Sequence, residues 1–376
     1  MQSATPAAPR VNPWVDAIHA YVPGKSAMPG GKPIAKLSSN ENPFGPPPAA
    51  VEAMARAGAS AHRYPDGSST KLREALAAKY CLEFDRLICG AGSDELLQFV
   101  PTCFAGPGDE VLMPAHAFAV YPIAARRVGA VPVEAPDRDY VADVDALLAA
   151  VTPRTRIIML ADPNNPTGTV LAKGEVARLH AALRPDILLV LDGAYAEYLD
   201  GDADYADGLA LAHTAPNVLA TRTFSKIHGL AAARVGWAYG PAHVITAMDK
   251  VRGPFNLTTP ALEGAVAALA DDCYAERARV HNTRWREWLA TDTAGLANHC
   301  VRTIPSAANF IMFEFPEQGP LTAEAAFQAL MADGFITRWL VPQNMPRCLR
   351  ISIGTEEETR GVAAALRAFV ERAATA

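Results

Sequence analysis

The chain has 376 residues, half of them apolar, which is enough for one large domain with a smaller companion. Its formal net charge of −6 argues against a dedicated nucleic-acid or membrane-surface role, since such proteins show a basic excess. The six cysteines form no CxxC and none stands at metal-ligand spacing with histidine, so they read as reduced thiols and no metal site is expected.

The opening "MQSATPAAPR" lacks the apolar core of a signal peptide, and the longest aliphatic run, Ile187 to Leu191, is too short to cross a bilayer. A cytoplasmic protein is the expectation. Residues 1–45 are rich in proline and glycine and read as an irregular arm packing with the smaller domain. From Ala49, "PAAVEAMARAGA" and "SSTKLREALAAKY" have the apolar spacing of helices. Strands and helices then alternate. "RLICG", "DEVLMP", "AVPVEAP", "RIIMLAD", "ILLVLDG", "NVLATRTFS" and "RVGWAYG" are short aliphatic strands separated mostly by helical segments. This is the pattern of a mostly parallel sheet covered by helices on both faces, and it predicts a large α/β domain over residues 46–255. A helical stretch follows from Thr259 to about Ala294. Beyond it lie "NFIMFEF", a helix, the strand "FITRWL", the strand "CLRISIG" and a last helix opened by Thr355 and Glu358, a capping-box pair. Residues 256–376 therefore read as a smaller α+β domain.

In an open α/β sheet, ligands bind beyond the carboxyl ends of the strands. After "RLIC" comes Gly90-Ala91-Gly92-Ser93-Asp94. After "RIIMLAD" comes Pro163-Asn164-Asn165-Pro166. After "ILLVL" come Asp192 and, two residues on, Ala194 and Tyr195. After "NVLATRTF" come Ser225 and Lys226. Each has a plainer reading alone: a helix start, a turn, a cap, a surface lysine. Together and in order they match one ligand, pyridoxal 5'-phosphate. Its aldehyde wants an amine, and Lys226 offers one. Its phosphate wants backbone N–H groups, hydroxyls and a guanidinium. Gly92 and Ser93 at a helix N-terminus, with Thr223, Ser225 and Arg234, offer these. Its ring nitrogen wants a carboxylate, Asp192, to keep it protonated. Its ring oxygen wants a phenol or amide, Tyr195 or Asn165. Phe118, in "HAFAVY", either stacks on the ring or packs in the core.

With these residues in hand, the chain resembles the aspartate-aminotransferase superfamily of fold type I, and within it the histidinol-phosphate aminotransferase family. The resemblance spans nearly the whole length. It rests on "YVPGK", "LSSNENPFGPP", "RYPDG", "GAGSDELL", "DPNNPTG", "DGAYAEY", "TFSKIHGLAAARVGWAYG" and "LRISIG". It implies that Lys226 is the Schiff-base lysine and proton shuttle, in ping-pong transfer between an amino donor and a 2-oxo acid acceptor. It implies a homodimer in which Tyr64 reaches the phosphate of the neighbouring subunit's cofactor. It assigns Arg350 to the substrate carboxylate, with Tyr21 and Arg338 lining an anion pocket. An aromatic-amino-acid aminotransferase or a threonine-phosphate decarboxylase would use the same cofactor residues. A nicotinamide dehydrogenase is disfavoured, because Glu95 stands where the third fingerprint glycine belongs. Three positions depart from the family pattern or raise a question. Gly193 replaces the usual acidic residue after the ring aspartate. Trp339 is expected to crowd the pocket beside Arg338. His228 reads as loop filler.

Overall fold

A computed structural model describes residues 9–25, 35–202 and 204–375. Residues 1–8 of the stretch read for a signal peptide, and part of the expected arm, lie outside the described residues.

In chain order the strands are β1 (Ala35–Lys36), β2 (Leu87–Gly90), β3 (Glu110–Pro114), β4 (Val131–Ala135), β5 (Asp137–Arg138), β6 (Val141–Ala142), β7 (Thr155–Ala161), β8 (Leu188–Asp192), β9 (Val218–Thr223), β10 (Gly236–Tyr239), β11 (Arg302–Ile304), β12 (Phe310–Glu314), β13 (Phe335–Ile336), β14 (Arg338–Leu340) and β15 (Met345–Ser352). Seven of them form the main sheet in the order β2-β10-β9-β8-β7-β3-β4. β9, β8, β7, β3 and β4 run parallel, and β10 lies antiparallel between β2 and β9. β7 shows why the sheet is buried on both sides. Ile158 and Leu160 enter one core cluster, while Ile157, Met159 and Ala161 enter another. A strand whose successive side chains both meet covering helices must be apolar throughout.

A second sheet, ordered β11-β12-β15-β14, is antiparallel and has its own core with Trp285, Leu330 and Leu366. The expected strand "FITRWL" is two strands. β13 pairs in parallel with β1 of the arm, whereas β14 joins β15. The arm is thus tied to the smaller unit, and Ser352 N–H donates to the Leu37 carbonyl at 2.9 Å. The last helix opens on the expected capping box of Thr355 and Glu358.

The expected boundary at 255/256 precedes the helix Thr259–Leu269. That helix packs on the helices Pro48–Gly58 and Thr70–Tyr80, and Ala261, Leu262 and Ala265 join a core cluster of the main sheet. On this packing we propose that the large unit extends through Leu269. The helix Asp272–Asp292 then passes between units. Tyr274 and Ala278 pack with Tyr195 and Phe310, and Trp285 and Leu289 pack in the smaller core.

Candidate active site

The carboxyl ends of β7, β8 and β9 open into one cavity of about 270 Å³, closed by the arm and by the smaller sheet. The strand registers place Ala161 opposite Asp192, and Asp192 opposite Thr221, so these ends are level. The cavity gathers nearly every residue expected from the sequence. Asn165, Asp192, Tyr195, Thr223, Ser225 and Lys226 come from the strand ends. Ser93 comes from the helix Gly92–Phe104, and Phe118 from the turn before the helix Val120–Arg127. Arg234, Tyr21, Arg338 and Arg350 complete the set. Gly92 lies behind this wall, and Tyr64 is elsewhere.

Asp192 is 4% exposed. Tyr121 donates to its Oδ2 at 2.9 Å and Thr221 to its Oδ1 at 3.0 Å. Burial raises its pKa, and the Tyr121 and Thr221 hydroxyls, the Ala194 N–H and the Arg222 charge oppose that rise. Several donors thus converge on one buried carboxyl group. Each such bond to a charged group is worth about 1.5–3 kcal/mol.

Lys226 Nζ donates to the Ser39 carbonyl at 3.2 Å. Glu41, which also lines the cavity, is engaged with Lys36 at 2.6 Å. Burial, reinforced by the Arg350 charge, lowers the lysine pKa to about 7. A neutral amine is the nucleophilic form, so the pocket holds this nitrogen ready to attack. Tyr195 is buried beside it, with Lys226 Nζ 5.6 Å from its ring centroid. Burial pushes the Tyr195 phenol up to about 12, so it remains a hydrogen-bond donor.

Gly92 takes φ +79°, and a Cβ there would stand 2.4 Å from Arg234 Nη2. Glycine therefore lets the guanidinium lie against the helix N-terminus. Arg234 Nη1 also donates to Ser225 Oγ at 3.2 Å. Backbone N–H groups, a hydroxyl and a guanidinium meet at this corner, the donor set that an anion requires. Thr223 Oγ1 accepts the Ser225 N–H at 3.1 Å and shapes the turn before Lys226.

Arg338 and Arg350 lie directly opposite each other across β14 and β15. Both are buried, and neither has an ion pair among the described residues. Arg338 Nη2 donates to the Val22 carbonyl at 2.6 Å, and Arg350 Nη2 to the Ser38 carbonyl at 3.1 Å. Arg350 Nη1 also bonds Asn165 Oδ1, while its Nε is buried without a partner. Burial pulls the Arg350 pKa down to about 10. Two buried guanidiniums held by neutral carbonyls are a receptor for anions.

The expected crowding by Trp339 does not occur. Strand alternation turns its indole away, towards Phe327 at 6.2 Å between centroids, with Nε1–H donating to the Pro346 carbonyl. His228 is buried against Phe224 and is not in the cavity wall. Gly193 has a physical reason. A Cβ there would lie 1.5 Å from Nη1 of Arg222, which is buried and paired with Asp207 and, at 3.7 Å, Glu197. Gly193→Ala is expected to lower the unfolding free energy by about 1–3 kcal/mol, the cost of overpacking a filled interior. Urea unfolding checks this, and an unchanged midpoint would contradict it.

Sequence reasoning missed Tyr121, Thr221, Ser39 and Asn40. Tyr121 lies in a helix whose apolar spacing hides it, and Thr221 reads as an ordinary strand residue. Ser39 and Asn40 belong to "LSSNENPFGPP", which carries the resemblance as a motif but gives neither residue a role.

The main sheet, the second sheet and the lysine between them define an aminotransferase of class I and II, and the model of that family, aminotransferase class I and II, matches residues 32–366. Histidinol-phosphate aminotransferases of Sphingopyxis alaskensis and Zymomonas mobilis are 55% and 51% identical, each covering 98% of this chain and 99% of the relative. A crystal structure of the Sinorhizobium meliloti histidinol-phosphate aminotransferase in complex with pyridoxal-5'-phosphate is similar at TM-score 0.86 and 28% identity, over 98% of this chain and 99% of that one. The chain belongs to the histidinol-phosphate aminotransferase family.

Proposed function

We propose that the protein is a pyridoxal 5'-phosphate-dependent aminotransferase that exchanges an amino group between histidinol phosphate and 2-oxoglutarate. One observation carries the reading: Lys226 and Asp192 share a cavity with two buried arginines that lack ion-pair partners among the described residues. The identity of about half over nearly the whole chain supports the substrate.

The residues present fit the cofactor. Gly92 leaves room for Arg234 beside the helix N-terminus, and Ser93, Ser225 and Thr223 add donors for a phosphate. Asp192 would hold the proton of the ring nitrogen, Tyr195 and Asn165 would face the ring oxygen, and Phe118 would flank the ring. Since Asn165 Oδ1 accepts from Arg350, its amide N–H₂ is the group left to donate. When bound, the cofactor supplies a protonated ring that takes up the electron pair left as the α-proton departs.

Lys226 would take up the α-proton of the amino donor at its Nζ as base and give it up again as acid. A second pass with the 2-oxo acid reverses the sequence, which gives ping-pong kinetics. Arg338 and Arg350 receive the phosphate of one partner and a carboxylate of the other. Tyr21, half exposed at the mouth, lines the same pocket.

Tyr64 is 82% exposed and stacks on Phe255 at 4.6 Å, outside the cavity of its own chain. An exposed aromatic pair of this kind supports a homodimer in which Tyr64 serves the neighbouring site. No helix among the described residues is long and apolar enough to cross a membrane, and a cytoplasmic enzyme is the form this reading takes.

A panel of histidinol phosphate, phenylalanine, tyrosine and threonine phosphate, each with 2-oxoglutarate, tests the substrate. Transfer from histidinol phosphate is expected to dominate. Its absence, with turnover of an aromatic amino acid or loss of carbon dioxide from threonine phosphate, would replace this reading.

A second measurement probes the lysine. The rate of cofactor uptake by the apoprotein should climb as pH rises towards about 7 and then level off, because Lys226 loses its proton there. An ordinary lysine would keep gaining to above pH 10. Growth of the visible absorption band follows the rate.

A further inference from the structure

Tyr195 does not face the cavity alone. Its hydroxyl accepts a hydrogen bond from Asn40 Nδ2 at 2.9 Å. Asn40 is 1% exposed and occupies the left-handed region at φ 57°, where asparagine is tolerated better than most residues. Its main-chain N–H donates to Ser352 Oγ at 2.9 Å, and Ser352 Oγ–H donates back to Asn40 Oδ1 at 2.9 Å. Its carbonyl accepts from Asn309 Nδ2 at 2.9 Å. Ser352 stands two residues beyond Arg350 on β15, so this anchor shares a strand with the anion receptor.

The directions of these bonds have a consequence for one proton. Ser352 Oγ already accepts the Asn40 main-chain N–H. Turning the Asn40 amide over would aim a second N–H at the same oxygen. It would also leave the Ser352 proton without an acceptor among the described residues. The amide is therefore locked with Oδ1 towards Ser352 and Nδ2 towards Tyr195. Tyr195 must then accept from Asn40, and its own O–H is left to donate elsewhere.

We propose that Asn40, oriented by Ser352, is a positioning residue that fixes the Tyr195 hydroxyl as a donor towards the cofactor's ring oxygen. The proposal rests on the reading of Tyr195 given above. A donated bond at that oxygen draws off its charge and makes the nearby Lys226 nitrogen less basic. A reversed bond would make that nitrogen more basic. Other charged or titratable groups near Tyr195 are Asp192 on β8, Lys226 after β9, Arg350 on β15, Tyr21 of the arm, Tyr121 of the helix Val120–Arg127, and Tyr198, which packs in the same cluster. None of them forms a hydrogen bond to its hydroxyl.

The test is the pH at which the visible absorption band of the cofactor-loaded protein titrates. Tyr195→Phe comes first and should raise that pH; no change would refute the placement of Tyr195 itself. Asn40→Asp keeps the shape and suits the same backbone region, but offers Tyr195 an acceptor. The phenol proton then turns away from the ring, and the titration should move up by about 1–2 pH units. In a Tyr195→Phe background the same change should give a smaller shift, since only the added charge acts. Ser352→Ala, which frees the amide to turn over, should shift the titration upward by less. This variant serves if Asn40→Asp does not retain cofactor. A wild-type titration in Asn40→Asp, or equal shifts with and without the Tyr195 hydroxyl, would overturn the proposal.

Discussion

Lys226→Ala is expected to cut aminotransfer at least ~10³-fold, within the range that a positioned acid–base group contributes. The geometry explains why no neighbour should substitute. Among the described residues, Lys226 is the one lysine in the cavity wall. The nearby Lys36 is committed to Glu41 by hydrogen bonds of 2.6 and 2.7 Å. Tyr195 is pushed up to about 12 and is a poor base near neutrality. Single-turnover absorbance measures the loss, and borohydride reduction gives a second readout. The native protein should gain the mass of the cofactor at Lys226, and the variant should not. Partial rescue by small primary amines would separate the lost base from a damaged fold. Turnover within tenfold of the native protein would remove Lys226 from the mechanism.

Asp192→Asn should cost roughly 10²–10³-fold in turnover, corresponding to the 3–4 kcal/mol range of a broken buried charge pair. The shape of the side chain is kept, so the sheet should fold as before. Two things change. The negative charge proposed to face the ring nitrogen is gone, and one of the two donors, Tyr121 or Thr221, now faces an amide N–H instead of an oxygen. The protein should still take up cofactor through Lys226, but more weakly. Asp192→Glu keeps the charge and displaces it by one methylene. It should therefore lose less than the asparagine variant if charge matters more than placement. Equal turnover in the asparagine variant and the native protein would show that the carboxylate has no electrostatic role.

The cofactor end of the site was legible because parallel strands place their carboxyl ends at one edge. Once "RIIMLAD", "ILLVLDG" and "NVLATRTFS" read as neighbouring strands, Asn165, Asp192 and Lys226 had to lie close together. The arm was not legible. Asn40 and Ser352 meet across 312 positions, and Arg350 reaches Asn165 across 185. No local periodicity reports contacts of that range. Gly193 and Arg222 are 29 positions apart, on β8's end and on β9, and the missing side chain makes sense only when both are seen. Trp339 was misplaced for a local reason. Neighbouring strand residues face opposite ways, so a residue next to Arg338 is the one least able to crowd its pocket. The helix Thr259–Leu269 follows a change of rhythm in the sequence, yet its alanine-rich face belongs to the earlier unit.

The cross-strand pairing of Arg338 with Arg350 sets two like charges directly opposite each other, and such charges repel. An arriving doubly charged group relieves that repulsion as well as making its own bonds, whereas a singly charged one relieves less of it. Valence thereby becomes a sorting criterion in its own right. On the proposed reading, a phosphate monoester meets that criterion with a single group, and a dicarboxylate only where both of its carboxylates enter the pocket.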